Sequence, residues 1–88
     1  MPVVMLFAGL RDVAGIVETR IEGDELRKVI VVLTDRFPAL RQHLFDGESP
    51  RPHVIVTVNG QNVRPEQWDS APLVPDDRVA LFPPIAGG

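Results

Sequence analysis

Two residues without side chains, Gly87 and Gly88, follow the apolar run Val79-Ala80-Leu81-Phe82-Pro83-Pro84-Ile85-Ala86 at the end of the chain. A Gly-Gly pair enters a slot too narrow for any other dipeptide. The α-carboxylate of Gly88 is then a group that this chain can deliver into the active site of another protein. Extended, the stretch from Pro83 to Gly88 reaches roughly 20 Å, enough to thread from a folded surface into a buried pocket. Pro83 and Pro84 stiffen the root of that stretch and lower the entropy lost when it is ordered. Ile85 and Ala86 add modest apolar contact along a channel. Taken alone, two glycines also describe a frayed end or a cloning remnant; the residues before them carry the distinction.

Other residues that could do chemistry have plainer uses. His43 and His53 stand ten apart in sequence, a spacing that suits no metal-ligand pattern, with Asp46 and Glu48 in a loop between them. No metal site is expected. Asp76-Asp77 could hold Mg²⁺, but a turn before a strand is the ordinary use of that pair. Arg11 and Asp12 read as surface charge, and Trp68 as the cap of a small core. The chain has no cysteine, which removes disulfides, thiolate ligands and a cysteine nucleophile. It shows no phosphate loop and no Ser-His-Asp set. The expectation is a protein without its own catalytic site or cofactor.

The elements that must position the terminus fit one domain. Eighty-eight residues leave no room for two, and 44% apolar content suffices for a modest core. A net charge of −3, with basic residues scattered, argues against nucleic acid. No segment approaches the roughly 20 apolar residues of a membrane span. Met1 to Met5 lacks a basic flank and a cleavage site, so no signal peptide is expected, and a cytoplasmic setting is.

Val3 to Phe7 reads as a strand, Leu10 to Gly15 as a loop or single helical turn, and Val17 to Ile21 as a half-buried strand. Asp24 is the expected N-cap of a helix with Leu26, Val29, Ile30, Leu33 and Phe37 on one face. The β-branched run within it argues for a strand; length and capping favour the helix. Pro38 ends it. Asp46 to Pro52 reads as a loop. His53 to Val58 is a strand, Asn59-Gly60 a hairpin turn, and Gln61 to Arg64 the return, which Pro65 cuts short. Arg78 to Phe82 is the last strand, stopped by Pro83-Pro84. The fold class is α+β: a ubiquitin-like β-grasp, with a mixed sheet of four to five strands packed on one main helix. Residues 1–82 form the domain, and 83–88 its flexible tail.

The stretches Leu6-Phe7-Ala8-Gly9-Leu10-Arg11-Asp12-Val13-Ala14-Gly15, Val58-Asn59-Gly60 and Asp76 to Gly88 together resemble the small sulfur-carrier subunit of molybdopterin synthase. That subunit belongs to the ubiquitin-like sulfur carriers, with the thiamine-pathway carrier. The likeness runs the full length. Phe45 to Pro52 and Gln61 to Leu73 are longer than in short members and look like an extended branch, some of whose members serve cysteine synthesis or protein modification.

The resemblance implies a C-terminal thiocarboxylate on Gly88, made after a ubiquitin-activating-type adenylyltransferase uses ATP and Mg²⁺ to form an acyl-adenylate there. The chemistry is coherent, since a carboxylate oxygen leaves poorly until it is activated. The large subunit of molybdopterin synthase would then accept the tail, from Pro83 and Pro84 through Ile85, Ala86 and Gly87. The resemblance also sets Phe7 and Phe82 on an exposed apolar patch gripped by both partners; the alternative for strand phenylalanines is the core. Another pathway (cysteine, thiamine or tRNA thiolation) and a ubiquitin-like modifier joined to lysines remain the competing functions, beside a plain interaction domain.

Overall fold

The structure is a computed structural model that describes residues 1–83. Of the expected tail, Pro83 is described; Pro84, Ile85, Ala86, Gly87 and Gly88 lie outside the described residues. The elements run β1 (Val3–Leu6), α1 (Gly9–Ala14), β2 (Glu18–Arg20) and α2 (Leu26–Arg36), then a 3-10 turn (Pro38–Leu40) and α3 (Arg41–Leu44). They continue with β3 (Phe45–Asp46), β4 (Ser49–Pro50), β5 (Ile55–Val58), β6 (Gln61–Asn62), a second 3-10 helix (Pro65–Ser70) and β7 (Arg78–Phe82).

Five strands form one mixed sheet in the order β2-β1-β7-β5-β6, and β3 pairs with β4 in a separate hairpin. β1 and β7 pair in parallel at the centre, Val4 opposite Val79 and Leu6 opposite Leu81. The other pairs of the main sheet are antiparallel. α2 covers one face. Its Leu26, Val29, Ile30 and Leu33 join Val4, Leu6, Val56, Val79 and Leu81 of the sheet in one fully buried cluster. This is the β-grasp plan, with α2 as the main helix.

The β-branched run of α2 is helical because its apolar residues recur at helical spacing and all meet the sheet. The cap differs from expectation. Asp24 does not cap α2; Glu25 holds that position in extended conformation and makes no side-chain cap bond. The first helical donor, Leu26 N–H, goes instead to Ala71 O at 2.9 Å, while Leu73 N–H donates to Asp24 O at 2.9 Å. Tertiary pairing with the 71–73 segment thus does the work of a cap. Pro38 acts as expected: Phe37 leaves the helical region with φ −126° and ψ 76°.

The two long stretches are ordered. Asp46 to Pro52 is no plain loop, since Asp46 pairs with Ser49 and Phe45 with Pro50 around Gly47. The stretch after Arg64 is a 3-10 helix that buries Trp68 completely. Phe45 and Trp68 meet edge to face at 6.0 Å. Arg27 of α2 ties the two segments, donating to Glu48 O at 3.0 Å and reaching Asp69 at 3.5 Å. The long segments therefore extend the core. The fifth strand is shorter at its start than expected, as His53 lies in a turn before Ile55.

The Asn59-Gly60 turn has the left-handed backbone that such hairpins require, with φ 52° and 85°. Asn59 locks it onto β7: Asn59 Nδ2 donates to Asp77 Oδ1 at 3.0 Å, and Arg78 N–H donates to Asn59 Oδ1 at 2.9 Å. Asp77 Oδ2 accepts from Val74 N–H at 2.9 Å. The Val74 N–H, and after it the Asn59 amide, hold the Asp77 carboxyl below its ordinary 3.8. A carboxyl depressed in the fold stabilises it above the unfolded-state pKa, and that contribution is lost as pH falls through the lower folded value. Asp77→Ala is expected to lower the urea midpoint near neutral pH. Its gap from the parent should narrow as pH drops below about 4. A gap that stays constant down to acid pH would show that the carboxylate charge contributes nothing to the clamp.

Candidate functional site

The site is built around the root of the tail. Leu6 and Leu81 face the core, so alternation turns Phe7 and Phe82 to the opposite face of the sheet. The parallel register sets them side by side. Their rings stack with centroids 4.5 Å apart and planes 12° from parallel. Both are half-buried, so neither is a core residue. The stacked pair forms a partly exposed aromatic step on the outer face of the sheet.

Other residues join them. Ile55 lies opposite Phe82 in the β5–β7 register and is 39% exposed. The next level holds Glu18, Met5, Ala80 and Thr57, paired across β2, β1, β7 and β5. At the far end Val3 sits between Arg20 and Arg78. Arg78 Nη2 approaches Met5 Sδ at 3.4 Å. The outer face thus grades from cationic at one end to aromatic at the other, and the chain leaves at the aromatic end through Pro83. Of the residues singled out in the sequence, Phe7, Phe82 and Pro83 come together here.

Ile55, Met5 and Ala80 were not singled out. The signal for them was parity: Val3-Val4-Met5-Leu6-Phe7 is apolar on both faces, and a central strand with two apolar faces implies two covered faces. α2 covers only one.

Two clefts among the described residues lie elsewhere. The larger, about 770 Å³, lies among Arg27, His53, Arg64, Glu66 and Asp69. Its arginines are engaged, Arg27 by Asp69 and Arg64 by Glu66 at 2.9 Å. It offers no unneutralised cradle for phosphates. The smaller is bounded by Arg41, Arg51 and Asp46. There Arg41 and Arg51 donate to the carbonyls of Gly47 and Gln42. Among the described residues no group of three or more His, Cys, Asp or Glu side chains is placed to hold a metal ion. His43 and His53 contribute to no such group. No described helix is long and apolar enough to cross a membrane. What the described residues present, then, is a half-exposed aromatic step at the end of the sheet where β7 stops before Pro83.

Comparison with known proteins agrees with that geometry. A family model described as the ThiS family matches residues 4–88. The solution structure of small archaeal modifier protein 1 from Methanosarcina acetivorans is 30% identical, with a TM-score of 0.87 over 99% of this chain and 95% of that one. A putative molybdopterin converting factor, subunit 1, from Pyrococcus furiosus is 31% identical, with a TM-score of 0.75 over 96% and 97%. A chain of the Amycolatopsis orientalis BexX/CysO complex matches over 100% of both chains with a TM-score of 0.84, and at 22% identity shows the fold alone. Comparison with curated proteins finds no match.

Proposed function

The chain belongs to the ThiS family of ubiquitin-like sulfur carriers, and from that premise we propose that it works as the small subunit of a molybdopterin synthase, holding sulfur as a thiocarboxylate on Gly88. In the proposed cycle the Gly88 carboxylate attacks the α-phosphate of ATP, and pyrophosphate leaves. ATP and Mg²⁺ belong to a ubiquitin-activating-type adenylyltransferase. Sulfide-level sulfur, as HS⁻, then attacks the acyl carbon, the C–S bond forms, AMP leaves with the bond to its phosphate oxygen broken, and loss of the proton leaves the thiocarboxylate. The large synthase subunit would receive the loaded tail. The fold acts as a grip, without catalytic groups of its own. The reading sets this chemistry in the cytoplasm, where ATP is supplied.

One observation carries the proposal. The family match continues through residue 88, so it includes the Pro-Pro-Ile-Ala-Gly-Gly ending along with the domain. The likeness to a putative molybdopterin converting factor subunit supports that acceptor among those of the family. Intact mass of the protein isolated from its host tests the reading. A species heavier by the exchange of one oxygen for sulfur, mapped to Gly88, is expected. Its absence under conditions where molybdopterin is made would overturn the proposal.

The Phe7–Phe82 step is the proposed handhold. Phe82→Asp is expected to weaken binding to the activating enzyme by about 2 kcal/mol, roughly thirtyfold, as for a central interface aromatic. Calorimetric titration at a temperature where the variant is folded measures this. Unchanged affinity would move the handhold elsewhere.

A second reading has its own support, the 30% identity to a protein named as a small modifier. In that reading the acyl-adenylate is attacked by a lysine amine instead of sulfur, and the two functions share one activated terminus. High-mass adducts in cells would mark it.

A further inference from the structure

Of the nine Lys and Arg residues in the sequence, only Lys28 is a lysine, and there is no cysteine. An arginine guanidinium stays protonated and is no acyl acceptor. A protein whose terminus becomes an electrophile therefore presents a single side-chain amine in all its 88 residues. We propose that Lys28 is the site at which one copy accepts the terminus of another, so that self-conjugation, where it occurs, has one linkage. This rests on the reading that Gly88 is activated, and names the acceptor within it.

The placement suits the role. Lys28 lies in the first turn of α2 with 65% of its side chain exposed. Its contact with Asp24, 3.4 Å between Nζ and Oδ1, is a solvated i,i+4 pair that restrains the amine weakly and does not cover it. The buried stripe of α2 packs on the inner face of the sheet, so the exposed side carrying Lys28, Val31 and Asp35 looks away from it. The Phe7–Phe82 step is on the outer face. A copy attached at Lys28 leaves that step uncovered, and presents its own Lys28 for the next addition. Chains of this kind remain able to dock.

In the bond-forming step the neutral Lys28 Nζ attacks the acyl carbon of Gly88. The C–N bond forms, the bond to the leaving group (AMP in the cell) breaks, and one proton passes to water.

The test installs a thioester on Gly88 chemically, by thiol cleavage of a fusion, and so does not depend on any activating enzyme. On incubation the parent should form dimers and longer species, with tandem mass spectrometry finding a Gly-Gly remnant on Lys28. Lys28→Arg should reduce them to background while still acylating an added amine such as glycinamide at the parental rate. Chains formed equally by Lys28→Arg, through the Met1 amine, would overturn the inference. So would a parent that acylates glycinamide but never itself. Thiocarboxylate formation by Lys28→Arg in the host is read separately: it should match the parent, and its absence from both would count against the carrier function instead.

Discussion

A chain carrying Gly87→Val folds like its parent and receives no sulfur. Both halves of that expectation come from the place of the residue in the sequence. β7 ends at Phe82, and the buried cluster of the described residues runs from Val4 to Leu81. Position 87 falls five residues beyond the end of β7, so thermal unfolding is expected to be unchanged. Activation is another matter. In the proposed cycle the last residues reach the α-phosphate of a nucleotide held by a partner through a slot shaped for backbone alone, and a β-branched side chain adds bulk and stiffness there. The acyl-adenylate then fails to form, and intact mass after incubation with the activating enzyme and ATP stays at the unmodified value. Gly88→Val should behave alike, and so should a chain with one residue added after Gly88, which moves the carboxylate away from the reacting position. A normal yield of thiocarboxylate from Gly87→Val would mean that the terminus is not threaded, and the grip-and-tail account would fail with it.

That division of labour also explains what could be read from the residues. The helix face of α2, the Asn59-Gly60 turn and the stop at Pro83 are local signals, set by spacing, backbone handedness and a missing N–H, and they hold in the structure. The end of α2 was legible for the same reason, its start was not. Leu26 N–H finds its partner at Ala71, far along the chain, and no propensity at Asp24 announces that. The hairpin of β3 and β4 is too short to have a period. Its order comes from Phe45, which meets Trp68 on one side and lies under the guanidinium groups of Arg27 and Arg41, 5.8 and 5.2 Å from its ring centre. The outer face needed the parallel pairing of β1 with β7, a contact between the two ends of the domain. Phe7 and Phe82 could each be named from the chain; that their rings stack needed the fold.

The same long-range packing sets the largest stability effect. Trp68 is the only tryptophan, fully buried, and its indole N–H donates to Val63 O at 3.2 Å. It meets Phe45 of the β3–β4 hairpin edge to face and belongs to the same buried cluster as Leu26 and Leu44. Trp68→Ala is expected to cost about 4 kcal/mol, the usual loss for emptying a large aromatic site that closes only in part. A domain of this length has a total stability on the order of 5 to 13 kcal/mol, so the variant should be near its unfolding transition at ordinary temperature. Urea unfolding followed by circular dichroism measures it. Trp68→Phe separates the two contributions, since it keeps much of the volume and leaves the Val63 carbonyl without its donor, at about 1 to 2 kcal/mol beyond the volume lost. Because the Trp68 side chain is buried in the core on the α2 side of the sheet, and Phe7 and Phe82 lie on the other face, Trp68→Phe, assayed below its melting point, should still load sulfur on Gly88 as the parent does. Loading that fell with stability intact would tie the extended segments to partner recognition, and remove the separation between a body that folds and a terminus that reacts.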